Sequence, residues 1–71
     1  SVFAMYVRVK GKDAIAKAEG IFGAVQSLST HGGDRAAFTT KAMTYSEFTE
    51  KINKLASDGV EILSTIRIGD L

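Results

Sequence analysis

Apolar and polar positions alternate from Val2 to Val9, with Phe3, Met5, Val7 and Val9 on one side and Ala4, Tyr6 and Arg8 on the other. That period of two predicts a half-buried strand. Lys10-Gly11-Lys12-Asp13 interrupts it, and Asp13 is of the residue type that caps a following helix. From Ala14 to Phe22 the apolar positions Ala14, Ile15, Ala18, Ile21 and Phe22 recur at helical spacing, which predicts a short helix terminated by Gly23. Gly20 inside it costs up to about 1 kcal/mol of helix propensity, so this helix needs a packed partner. Val25 to Thr30 predicts a polar strand. Its two strongly apolar residues, Val25 and Leu28, fall on opposite faces, which suits a sheet edge. After a turn carrying Gly32, Gly33 and Asp34, Ala36 to Ala42 resumes strand alternation, and the two runs predict a hairpin.

The clearest local code follows. Thr44 with Glu47 has capping-box spacing, and Met43 with Phe48 stands at the spacing of a hydrophobic staple, so a helix is expected to start there. Phe48, Ile52 and Leu55 form its apolar stripe, Glu47/Lys51 and Glu50/Lys54 are i,i+4 charge pairs, and Asp58-Gly59 ends it. Val60 to Ile68 predicts the last strand, with Ile62, Ser64, Ile66 and Ile68 on one face and Leu63, Thr65 and Arg67 on the other. The order βαββαβ closes most simply as an α+β ferredoxin-like sandwich, a four-stranded antiparallel sheet with both helices on one face. The uncovered face would then carry Ala4, Tyr6, Arg8, Thr39, Lys41, Leu63, Thr65 and Arg67. Of these, Ala4, Tyr6, Arg8, Leu63 and Thr65 are the expected contacts with a second copy, since covering apolar side chains gains about 25 cal/mol per Å².

Length sharpens that expectation. A domain of 71 residues buries only about 60% of its unfolded surface, and domains of this size often draw stability from association. We therefore expect residues 1–71 to form a single domain that assembles as a homodimer and higher oligomer. Nine Lys and Arg against eight Asp and Glu leave a net charge of +1, too little for a field directed at nucleic acid or anionic membrane. The chain has no Cys, which removes disulfides, thiolate metal sites and thiol catalysis and suits a cytoplasmic address. Neither a membrane-spanning run nor a signal peptide is present in these residues. No metal or cofactor is expected.

Candidate chemistry concentrates in the turn His31-Gly32-Gly33-Asp34. Backbone N–H groups at two successive glycines can cradle an anion, and Asp34 offers a carboxylate to a cation. A free amino acid carries both charges. An ordinary turn also uses glycine at positive φ, so the turn alone does not decide the matter. His31, Ser29 and Asp34 crowd a single turn with no second cluster to complete a relay, so an enzyme is not expected.

Taken together, Gly23-Ala24-Val25 into a polar strand, the Thr30-His31-Gly32-Gly33-Asp34 turn, the helix from Met43 to Leu55, and Gly59-Val60 leading to Ser64-Thr65-Ile66 resemble the ligand-binding (RAM) domain of the Lrp/AsnC family of feast/famine regulators. The resemblance spans nearly the whole chain. It implies a ferredoxin-like domain that dimerises through its sheet, assembles further, and binds small effectors, usually amino acids, between dimers. The ligand contacts it implies are Gly32 and Asp34 together with Thr65, Ile66, Arg67 and Ile68, and His31 and Gly33 of the same turn complete the expected ligand-binding set. The family's N-terminal helix-turn-helix does not occur in these residues, so the resemblance is to the stand-alone type. That type would not bind nucleic acid directly, and it would regulate transcription by mixed assembly with a full-length relative.

Two other classes share this element order. An ACT-type regulatory domain of an amino-acid metabolic enzyme is the main alternative, but its Pro-Gly-Val-Leu type of entry to the first helix is replaced here by Lys12-Asp13-Ala14-Ile15. An RNA-recognition module needs stacking aromatics on the open face, where only Tyr6 is expected.

Overall fold

A computed structural model describes residues 1–28 and 33–71. The expected ligand contacts His31 and Gly32 lie outside the described residues, as do Ser29 and Thr30. The elements are β1 (Met5–Lys10), α1 (Ala14–Phe22), β2 (Gln26–Ser27), β3 (Arg35–Thr39), α2 (Tyr45–Ser57) and β4 (Glu61–Arg67), closed by a single 3-10 turn over Ile68–Asp70. The four strands form one antiparallel sheet in the order β2-β3-β1-β4. This is the α+β ferredoxin-like arrangement expected from the hydropathy pattern. β2 is an edge strand and pairs with β3 as a hairpin.

Both helices cover the face that carries Met5, Val7, Val9 and Phe38. Val7, Val9, Phe38 and Leu55 are fully buried, and the Phe22 ring lies 5.7 Å from that of Phe38 and 6.0 Å from that of Phe48. Met43 and Phe48 are both in this core, as the staple spacing requires. Thr44 Oγ1 accepts the Glu47 N–H at 3.1 Å and so caps α2. α1 begins differently. Asp13 occupies the left-handed region at φ 55° and makes no side-chain cap, so the expected Asp13 cap is not formed.

Charge pairing along α2 also departs from the pattern. Among the described residues the ion pair formed is Arg67 with Asp70, at 3.4 Å, and neither Glu47/Lys51 nor Glu50/Lys54 closes. Instead Lys51 Nζ donates to the Ile21 carbonyl at 3.4 Å, and Lys17 Nζ donates to the Asp58 carbonyl at 3.2 Å. Each helix thus lends a lysine to the C-terminal end of the other, where unpaired carbonyls and the negative end of the dipole favour a cation.

Two local irregularities set which residues face where. β3 stops at Thr39 because Thr40 Oγ1, in place of a backbone carbonyl, accepts the Met5 N–H at 3.1 Å, while Thr40 N–H donates to the Met5 carbonyl at 2.9 Å. Pairing resumes only at the Phe3–Met43 bridge. The second irregularity is a bulge in β4: Arg8 stands opposite Ser64 and Val9 opposite Ile62, so Leu63 is the extra residue.

Residues directly opposite in an antiparallel pair share a face. On the Phe3 side of the bulge, Tyr6 therefore shares the open face with Ile66, while Val7 and Met5 share the helix side with Thr65 and Arg67. The strict alternation read from Val60 to Ile68 placed Thr65 and Arg67 on the open face. The bulge reverses that, sending Thr65 and Arg67 to the helix side and Ile66 outward. The Arg67 guanidinium stacks at 5.3 Å over the Phe3 ring. Ile68, expected in the strand, opens the 3-10 turn, and its N–H donates to the Ala4 carbonyl at 3.1 Å.

Candidate ligand site

The β2–β3 turn is held against the start of α1. Gly11 N–H donates to the Asp34 carbonyl at 2.9 Å, and Gly33 adopts φ 60°, a conformation glycine takes at no steric cost. A cleft of about 310 Å³ opens between the two segments, lined by Asp13, Ala14, Ile15, Ala16, Gly33 and Asp34 among others.

Its chemistry follows from the missing cap. The first intrahelical bond of α1 runs from Lys17 N–H to the Asp13 carbonyl at 3.0 Å. The amides of Ala14, Ile15 and Ala16 precede it and have no acceptor within the helix. They lie at the positive end of the helix dipole, a setting that favours an anion. Asp13 and Asp34, both exposed, bring carboxylates to the same cleft. One small opening therefore offers amide donors to a negative group and two carboxylates to a positive one. The sequence suggests Asp13 only as a cap, and its place in the lining of this cleft is set by the tertiary structure.

The remaining expected contacts lie elsewhere. Lys10 pairs with both Arg35 and Glu61, whereas Arg67 stands opposite Met5. The turn and the Thr65–Ile68 segment thus occupy opposite ends of β1, about 17 Å apart at about 3.3 Å per residue. One chain brings Gly33 and Asp34 together but does not bring them to Thr65, Ile66, Arg67 and Ile68.

A second, larger groove of about 570 Å³ crosses the open face of the sheet. Tyr6, Arg8, Leu28, Arg35, Ala37 and Leu63 line it. Tyr6, Arg8 and Leu63 were expected on this face; Ala4, also expected there, lies just before β1 and does not line the groove. Thr65 is not among them, for the reason given by the bulge. Arg35 was missed because the strand was read as starting at Ala36; two residues before Ala37 on β3, it shares Ala37's face.

Among the described residues no group of three or more His, Cys, Asp or Glu side chains is placed to hold a metal ion, and no helix is long and apolar enough to cross a membrane. Comparison with protein-family models, with curated proteins and with solved structures gives no match.

Proposed function

We propose that this chain is an amino-acid-binding regulatory and oligomerisation module of the Lrp/AsnC ligand-binding type, without a DNA-reading element in these residues. The observation that carries the reading is the uncapped start of α1 lining one cleft together with Asp13 and Asp34. The α-carboxylate of an amino acid meets the amides of Ala14, Ile15 and Ala16, which have no acceptor within the helix, and its ammonium meets the Asp34 and Asp13 carboxylates. The two ends of a zwitterion are thus both matched by groups of opposite charge or dipole.

The open sheet face supplies the second half of the reading. Tyr6, Leu63 and Ile66 are half-buried there in the single chain, and a second copy covering them removes apolar surface from water. Thr65, Ile66, Arg67 and Ile68 reach an effector cleft only when it belongs to another copy, which is how ligand binding couples to assembly. A ligand shifts that assembly by its differential affinity for the assembled form.

Isothermal titration against a panel of amino acids, paired with sedimentation velocity, tests this. At least one amino acid is expected to give heat and to enlarge the sedimenting species. Asp34→Asn is expected to weaken binding by about tenfold, the loss of one charge-assisted contact. Absence of heat with every amino acid would overturn the reading.

A further inference from the structure

The groove on the open face carries a charge pattern that the amino-acid cleft does not explain. Arg8 stands on β1 opposite Ala37, and Arg35 lies two residues from Ala37 on β3, so the two are diagonal neighbours on one face. Diagonal neighbours lie about 7–8 Å apart, with Cβ atoms somewhat closer, a separation that two guanidinium groups readily span around one oxyanion. Lys10, opposite Arg35, adds a third cation to the same face, and Glu61 opposite Lys10 is the carboxylate facing them. Among the described residues neither Arg8 nor Arg35 forms an ion pair. Around them Tyr6, Leu28, Ala37 and Leu63 are half-buried or buried and supply an aromatic and aliphatic floor. The volume of about 570 Å³ lies within the range of about 300–1,000 Å³ typical of small-molecule sites.

We propose that this groove binds a small organic oxyanion, a carboxylate or phosphate monoester carrying an apolar body, with the anion held between Arg8 and Arg35 and the body laid on Tyr6, Leu28 and Leu63. Planar oxyanions and phosphates are what a pair of guanidinium forks recognises best. The groove lies on the open face and the effector cleft at the start of α1; Arg35 and Ala36 line both, whereas Tyr6, Arg8, Leu28 and Leu63 line the groove and not the cleft. Its consequence for assembly rests on the proposed pairing of sheet faces: two copies meeting across this face bring like charges together, and an anion in the groove reduces that repulsion.

The test titrates ¹⁵N-labelled protein with phenyl phosphate, benzoate and the uncharged benzamide. Amide shifts are expected at Ala37, Leu63 and Tyr6, with benzamide bound at least about tenfold more weakly than the better anion. The relative affinity of phenyl phosphate and benzoate identifies the oxyanion. Arg8→Gln and Arg35→Gln should each weaken binding about tenfold or more, whereas Lys54→Gln, on α2, should leave it unchanged. Circular dichroism confirms that each variant is folded. Equal binding of benzamide and the anions, or undiminished anion binding by a folded Arg8→Gln/Arg35→Gln double variant, would overturn the proposal. Saturable binding of a single-stranded oligonucleotide with no shift from either small anion would also overturn it, in favour of a nucleic-acid surface. Because the reporting amides of Tyr6, Ala37 and Leu63 and the Arg8→Gln variant belong to the groove and not to the effector cleft, failure of the amino-acid titration leaves this result intact, and the reverse holds too.

Discussion

Thr40 joins the two halves of the fold, and its hydroxyl can be weighed in isolation. The residue is 6% exposed, and its Oγ1 accepts the Met5 N–H at 3.1 Å and donates to the Lys41 carbonyl at 2.8 Å. Thr40→Val keeps the shape and removes the oxygen. Met5 is 5% exposed, so its N–H loses an acceptor that water does not readily replace, at a cost of about 1–3 kcal/mol. The Lys41 carbonyl sits on an exposed residue and regains water. The extra methyl returns up to about 0.8 kcal/mol. The net expectation is a loss of about 1–2 kcal/mol, or about 5–15 °C in melting temperature for a domain of this size. Thr40→Ser and Thr40→Ala give an independent measure, because both lack the methyl and differ only in the hydroxyl. Urea titrations and thermal melts of the four proteins should show the same hydroxyl contribution in both comparisons, with faster exchange of the Met5 amide in Val and Ala. If Val matches Thr and Ala matches Ser within about 0.5 kcal/mol, Thr40 is not the link between β1 and the approach to α2, and the explanation given for where β3 ends fails.

Ser64, at the β4 bulge, has a buried hydroxyl with no partner among the described residues; Ser64→Ala is expected to stabilise by up to about 1 kcal/mol in urea unfolding, and a loss of that size would mean the hydroxyl is engaged. A Cβ at Gly11 would meet the backbone of Val60 at 3.3 Å and of Gly59 at 3.4 Å, whereas one at Gly20 meets nothing within 4 Å. Gly11→Ala should therefore cost about 1–2 kcal/mol by overpacking, and Gly20→Ala should add about 0.5–1 kcal/mol of helix propensity, the opposite signs being the diagnostic result in thermal melts. Asp13→Gly should hold or gain up to about 1 kcal/mol by relieving the left-handed backbone; a clear loss would show that the carboxylate caps α1 after all.

Several parts of this molecule were legible from residue order. The α2 start needed only Thr44, Glu47, Met43 and Phe48, because capping and stapling are contacts among near neighbours in sequence. The helix span from Ala14 to Phe22 was likewise readable from spacing, and the antiparallel order followed from element order and short connections. The site was less legible. Turn chemistry in the sequence points to Asp34, but the Asp13 cap it also suggests is not formed, and Arg35 begins β3 one residue before the strand expected from Ala36.

What residue order determined here is everything that rests on local periodicity: element types, the apolar faces of β1 and α2, and the sandwich they close into. What tertiary structure alone decided is the facing of β4 beyond Ser64, the length of β3, and the missing side-chain cap at the start of α1. The physical reason is common to all three. Whether Leu63 is squeezed out of the ladder, whether Thr40 Oγ1 substitutes for a carbonyl, and whether Asp13 turns left-handed each depend on partners in a distant strand or loop, and a period counted along one segment carries no information about them.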